Sequence, residues 1–291
     1  MNYSKTLSST LVATSFSFLS TLIIGINQAK AESNACPDIS STTITSINDE
    51  GDDTSFFSLT DGEGWCRGTP DVYGVTVFKM GLCSKDPGSP DGTVLTGSAP
   101  DFSSCTWTYD NSSGELAEFT SGTTLDLSES FASRPSNGSY PHAVMLISTD
   151  FRIKAKYGPV AGITYYTTDE FEVSTESLDE YATSTAPLSS FGQNCTAYIE
   201  EEAVSGGTID AYFLDSSGIL MDSNASLSEC SGQEKVVGVM NMTSDVEITS
   251  STKGLKMTFV VTNNGTSISY TRGDDELEFD SGPFSVTFET Y

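Results

Sequence analysis

Six cysteines, at positions 36, 66, 83, 105, 195 and 230, and a single histidine, His142, are the residues of this 291-residue chain with the most specific chemistry to offer. A cysteine at the end of the run YGVTVFKMGLC, Cys83, could act as a nucleophile, a metal ligand or half of a disulfide. A zinc site would group its cysteines and histidines at short spacing, as in C-x-x-C, and no such pair occurs. A nucleophile needs a base to activate it, and only His142 is on offer, in NGSYPHAVML at the mouth of an apolar run; no G-x-S-x-G elbow surrounds any serine. The even count fits three disulfides. Loop closure costs least between sequence neighbours, which predicts Cys36 with Cys66, Cys83 with Cys105, and Cys195 with Cys230.

The 40 acidic residues are the other reactive class. Paired carboxylates can hydrolyse glycosides, yet among so many no pair stands in a motif, and no enzymatic activity is expected. The run YIEEEAV, with Glu200 and Glu202 on one face and Glu201 on the other, reads as a solvated edge strand guarded against aggregation. Calcium is the one ion that the acidic, glycine-bearing loops could hold: Asp49, Asp52 and Asp53 in NDEGDDT, and Asp274 and Asp275 in RGDDELEFD. No EF-hand pattern is present, so no cofactor is expected beyond that ion.

A formal charge of −27 repels phosphate backbones and anionic lipid, which excludes nucleic acid as a partner. At the amino terminus Lys5 precedes the apolar stretch FSFLSTLIIGI, followed by Ala29-Lys30-Ala31. This is the layout of a secretory signal peptide over 1–31, shorter in its apolar core than the ~20 residues that cross a bilayer. No later segment is apolar and long enough to span, so the mature chain is expected to be secreted, at the cell surface or in the periplasm, where its thiols would be oxidised.

The elements that must position these residues read as strands. Apolar residues alternate in FRIKAKY, with Phe151, Ile153, Ala155 and Tyr157 on one side and Arg152, Lys154 and Lys156 on the other. LKMTFVV repeats the pattern, and Asn263-Asn264-Gly265 then predicts a tight turn into a return strand at SISY. Further strands are expected at 42–47, 55–59, 72–83, 105–109, 116–119, 123–127, 143–148, 163–173, 195–202, 208–214, 235–242, 245–249 and 284–291, while ESLDEYATS could make a turn or two of helix. From Val75 and Val77 to Phe78, Met80 and Leu82 the apolar phase shifts, which fits either a strand buried on both faces or, the reading favoured, a bulge near Val77 and Phe78. The fold class is all-β: antiparallel sandwiches with Greek-key, immunoglobulin-like or jelly-roll-like connections. The small-residue stretch STAPLSSFGQN predicts a boundary between a domain at 32–190 and another at 191–291, the alternative being one continuous sandwich over 32–291.

The stripe Arg152, Lys154 and Lys156 is unusual in so acidic a chain. It could pair with Glu170 and Glu172 across a hairpin, or meet the acidic surface of a second copy and drive assembly. The ending GPFSVTFETY, with Phe284, Val286 and Phe288 on one face, resembles the last strand of chaperone–usher pilins, which polymerise by strand donation; Tyr291 departs from that phase, and the likeness covers only these ten residues. The sequence thus suggests a structural protein that associates with itself, as a filament, matrix or adhesive subunit. The alternative is a module for surface glycans or calcium-bridged ligands, with Trp65, Trp107 and tyrosines as stacking platforms.

Overall fold

The computed structural model describes residues 6–8, 36, 63–120, 124–126, 133–160, 163–192, 195–204, 206–224, 230–253, 255–261, 265–271, 277–282 and 284–290. All of its sheets are antiparallel, as the period-two alternation requires, and among the described residues the only helical pieces are 3-10 turns at Phe102–Ser104 and Leu178–Glu180. The second of these is what ESLDEYATS becomes.

The principal sheet has seven strands. At its centre β6 (Gly138–Lys154) pairs with β3 (Val72–Cys83) on one side and β13 (Lys235–Ile248) on the other. Beyond β3 lies β4 (Cys105–Thr120), one edge of the sheet. Beyond β13 lie β12 (Gly207–Leu214) and then β11 (Tyr198–Val204), the other edge, while β10 (Ser184–Pro187) pairs with the end of β6. The smaller sheets are β1 (Thr6–Ser8) with β5 (Thr124–Asp126), β14 (Leu255–Val260) with β17 (Ser285–Thr290), β15 (Thr266–Thr271) between β16 (Glu278–Ser281) and β2 (Glu63–Gly68), and β8 (Ile163–Thr167) between β7 (Lys156–Val160) and β9 (Ser174–Thr175).

Both faces of the principal sheet are buried, which explains why its central strands read as continuous apolar runs. Ala143, Met145 and Ile147 of β6 join Val75, Val77, Ala211, Phe213 and Val236 on one face. Phe259 of β14 packs over that face, stacked on Phe119 at 4.6 Å, and Phe284 meets Tyr73 at 5.7 Å; this gives the two layers of a sandwich. Val144 and Leu146 point the other way, with Val237, Val239, Tyr212 and Leu214. The loop between β3 and β4 covers them with Val94, Leu95 and Phe102. A third cluster, around Ile153, Ala155, Tyr165, Ile268 and Phe279, unites the far end of β6 with the small sheets.

The register of β3 with both β4 and β6 shifts between Val77 and Lys79, so the expected bulge is there, and it turns Phe78 onto the loop-covered face. The cystines are Cys36–Cys66, Cys83–Cys105 and Cys195–Cys230, and among the described residues no free cysteine remains. Cys83 and Cys105 are register partners on β3 and β4, so their bond closes the base of the covering loop.

Several expectations need correction. The strands on either side of Asn263-Asn264-Gly265 do not form a hairpin: β14 pairs with β17 and β15 pairs with β16 and β2. The reason lies in their apolar residues, since Phe259 belongs to the core over the principal sheet and Ile268 to the third cluster. The strand expected over 163–173 stops at Thr167, where Thr168 bonds to the carbonyls of Glu170 and Val173 and closes a turn. Residues 188–192, where the sequence offered either a domain boundary or a continuous sandwich, lie between β10 and β11 of one sheet, with Leu188 and Phe191 packed on its core and Phe191 stacked on Phe213 at 4.3 Å. Strands expected at 42–47 and 55–59 lie outside the described residues.

Replacing both Cys83 and Cys105 by alanine frees a loop whose ends are 22 residues apart, and the expected loss is about 3 kcal/mol of unfolding free energy by urea titration. Limited proteolysis of that variant should cut first within 84–104.

Candidate functional site

The calcium candidates Asp49, Asp52, Asp53, Asp274 and Asp275 lie outside the described residues, and among the described ones no group of three or more His, Cys, Asp or Glu side chains is placed to hold a metal. The basic stripe is described, and its partners lie within the chain. They are not Glu170 and Glu172. Arg152 reaches Glu118 at 3.7 Å, Lys156 pairs with Asp71 at 2.9 Å, and the Lys154 ammonium lies 4.3 Å from the centre of the Tyr181 ring. The Tyr181 hydroxyl donates to the same Asp71 at 2.6 Å. Burial opposes ionisation of Asp71, but the bonds from Tyr181 and Lys156 outweigh it and hold this carboxyl below its ordinary range.

At the carboxyl end, Phe284 is packed between Tyr73 and Phe259, and Val286 and Phe288 sit in register with Phe259 and Met257 of β14. That strand is paired within its own chain.

A polar network invisible in the sequence crosses the loop-covered face. Asn241 on β13 is the register partner of His142 on β6, and Thr208 on β12 lies on its other side. The Asn241 amide donates to Asp210 Oδ2 at 2.5 Å, which aims its carbonyl oxygen at His142; the His142 Nδ1, 2.7 Å away, must then be the donor. Asp210 also accepts the Glu201 amide at 2.6 Å. Nearby Asp86, from the covering loop, accepts the amides of Gly88 and Ser89 and, at 3.1 Å, the hydroxyl of Tyr212. Gly88 lies directly under the Tyr212 ring, where a Cβ would enter the ring itself. Asp86 and Asp210 are both buried. Burial pushes the Asp210 carboxyl up to about 6; the neighbouring Asp86 adds to the rise, and the bonds from Glu201 and Asn241 oppose it. The network fastens the loop to the sheet, and His142 belongs to it.

The two edges of the principal sheet differ. On β11 the register breaks between Ile199 and Glu202, and Glu201 takes φ 58° as its amide turns inward to Asp210. Burial raises the Glu200 carboxyl, and Asp86 and Glu201 raise it further. A bulged, acid-lined edge resists pairing with another strand. On β4 the acidic residues are compensated instead. Lys79 sits opposite Asp110 in register and bonds it at 2.9 Å, and Tyr109 donates to Glu115 at 3.0 Å. Glu118, Gly74 and Arg152 lie in one row across three strands, and the absent side chain of Gly74 lets the ion pair span it.

Residues 111–114 of β4 lie between its pairings at Asp110 and Glu115 and bulge from the ladder, with Gly114 at φ 73°. Beside this bulge a cleft of about 570 Å³ is lined by Cys105, Thr106, Trp107, Asp110, Ser112 and Ser133. The indole of Trp107 is held against Phe102 at 5.0 Å, edge to face, and the Lys79 ammonium lies 5.3 Å from its centre.

No protein-family model, curated protein or solved structure matches this chain. Among the described residues no helix is long and apolar enough to cross a membrane. The sequence marked Trp107 as a possible platform and YIEEEAV as a protected edge, but it gave no signal for the meeting of Asp86 and Asp210, which are brought together only by the covering loop.

The Asp210 and Asp280 carboxyls both rise to about 6 through burial, with Glu172 adding to the rise of Asp280, so the folded chain binds protons that the unfolded chain releases near pH 4. Stability should therefore fall as pH rises from about 4 to about 6. Asp210→Asn removes the titrating group, and the fall measured by urea titration across that window should be visibly shallower than in the parent chain, whatever the variant's absolute stability.

Proposed function

We propose that this chain is an exported, non-catalytic structural protein that associates with copies of itself through the edge strand β4, the two-fold pair being the unit from which a filament, matrix or adhesive layer is built. The observation that carries the reading is the contrast between the two edges of the principal sheet. Both edge strands bulge, but β11 carries Glu200, Glu201 and Glu202 at its bulge, whereas on β4 the carboxylates of Asp110 and Glu118 are matched by Lys79 and Arg152. Among the described residues no strand pairs with the outer side of β4, which takes a backbone bond from outside the sheet, that of the Ser133 amide to the Trp107 carbonyl at 3.2 Å. The chain has 13 basic residues against 40 acidic, and two of the few cations pair with two of this strand's three carboxylates. A strand relieved of like-charge repulsion can pair antiparallel with its own copy about a two-fold axis.

Three cystines support an oxidising location. The stripe Arg152, Lys154 and Lys156 acts within the chain in this reading, and Arg152 contributes to assembly indirectly, by quieting Glu118. The paired carboxyl-terminal strand argues against donation of Phe284, Val286 and Phe288 to a neighbour.

Two copies, each of charge −27, repel one another at long range, so association should strengthen with salt as the screening length falls to about 8 Å at physiological ionic strength. Sedimentation velocity on the mature protein, over a concentration series with low salt, high salt and added calcium, should show a dimer or larger species that grows with salt. Leu116 is exposed on β4, and Leu116→Lys should shift the mass-action midpoint by at least about tenfold toward monomer. A monomer under every condition would overturn the proposal.

A further inference from the structure

The cleft beside Trp107 has features that pairing of β4 does not require. Its volume, about 570 Å³, falls in the range of small-molecule sites. Trp107 lines one wall, part-buried, packed edge to face with Phe102 at 5.0 Å and with the Lys79 ammonium 5.3 Å from its ring centre, so the indole is held at the cleft by two neighbours. The rim is polar: the hydroxyls of Thr106, Ser112 and Ser133, and the carboxylate of Asp110. The bulge at 111–114 carries Ser112 to this rim and leaves it exposed. Asp110 is bonded through Oδ2 to Lys79, with both side chains about one-third exposed, at 35% and 32%. Its other oxygen can therefore take a donor while its charge is already balanced. An aromatic face ringed by hydroxyls and one charge-balanced acceptor suits a ligand with an apolar face and hydroxyl edges.

We infer that this cleft is a binding site for a neutral saccharide, one pyranose ring lying against Trp107 with its hydroxyls bonded to Asp110 and Ser112. Charge selects the class. The chain carries −27 overall and the cation beside the cleft is paired, so uronic or sulfated sugars are disfavoured by long-range repulsion without a local site to repay it. The inference is independent of the association reading, since a monomer can hold the sugar and an assembly can form without it.

The chain has two tryptophans, Trp65 and Trp107, so in a Trp65→Phe background the emission reports Trp107 alone. Hexasaccharides of glucose, mannose, xylose, galactose and N-acetylglucosamine, with hexagalacturonate as the anionic comparator, are titrated up to ~10 mM into the monomeric fraction, with calorimetry alongside. At least one neutral sugar should shift the emission saturably, and hexagalacturonate should not. Trp107→Ala should abolish the heat of binding. Because the indole also packs against Phe102, the rim variants Asp110→Asn and Ser112→Val, checked for native circular dichroism, give a second reading: each should weaken affinity by about tenfold. No saturable response to any neutral sugar, binding of the anionic sugar alone, or affinity unchanged in both rim variants would each overturn the inference.

Discussion

A chain with three carboxylates for every cation must decide, in folding, which carboxylates are neutralised and which are left to water or to a shared proton. Exposed ion pairs contribute little to stability, so their placement matters less for how firmly the protein folds than for the surface it presents. Lys79 and Arg152 are directed to Asp110 and Glu118 on one edge strand, and Lys156 to Asp71 beside the start of the neighbouring strand. The opposite edge has its glutamates beside a bulge, and the buried Asp210 behind it holds a proton to higher pH than an ordinary aspartate would. The result is a sheet with one acid-lined edge and one edge, proposed to be permissive, two of whose carboxylates are paired.

That asymmetry rests on the middle of the sheet being fixed. β6 is buried on both faces, by the β14 layer on one and by the loop of 84–104 on the other. The loop is held at its base by Cys83–Cys105 and at its crown by Asp86, Tyr212 and the contact of Gly88 with the tyrosine ring. The same Asp210 that lies beside Asp86 accepts the turned-in amide of Glu201, so the guarding bulge on β11 and the fastening of the loop share one buried carboxyl. The permissive edge and the cleft beside Trp107 both follow from β4, whose bulge exposes Ser112 while its flanking residues keep their pairing to β3.

Much of this was legible locally. Alternation revealed the end of β6 through Phe151 and Ile153, and the slip in apolar phase at Val77 and Phe78 located the bulge to the residue, because a side chain changes face only when the backbone gains a residue. Sequence proximity gave the cystine partners. What it could not give was pairing between distant segments: Asn-Asn-Gly signals a reversal, but whether the flanking strands meet depends on which core claims Phe259 and which claims Ile268. The partners of the basic stripe were misjudged for a related reason, since Glu118 and Asp71 come alongside only through the β3–β6 and β3–β4 registers. Asp86 and Asp210 carry no local signal at all, as acidic residues in a chain this rich in them.

The claim that β4 is the edge through which copies meet is most directly tested by amide hydrogen exchange at low and high protein concentration. The account predicts that peptides covering Cys105–Thr120 gain protection as concentration rises, whereas those covering Tyr198–Val204 do not. Protection gained at Tyr198–Val204 with none at Cys105–Thr120, or no concentration dependence at either edge, would contradict it.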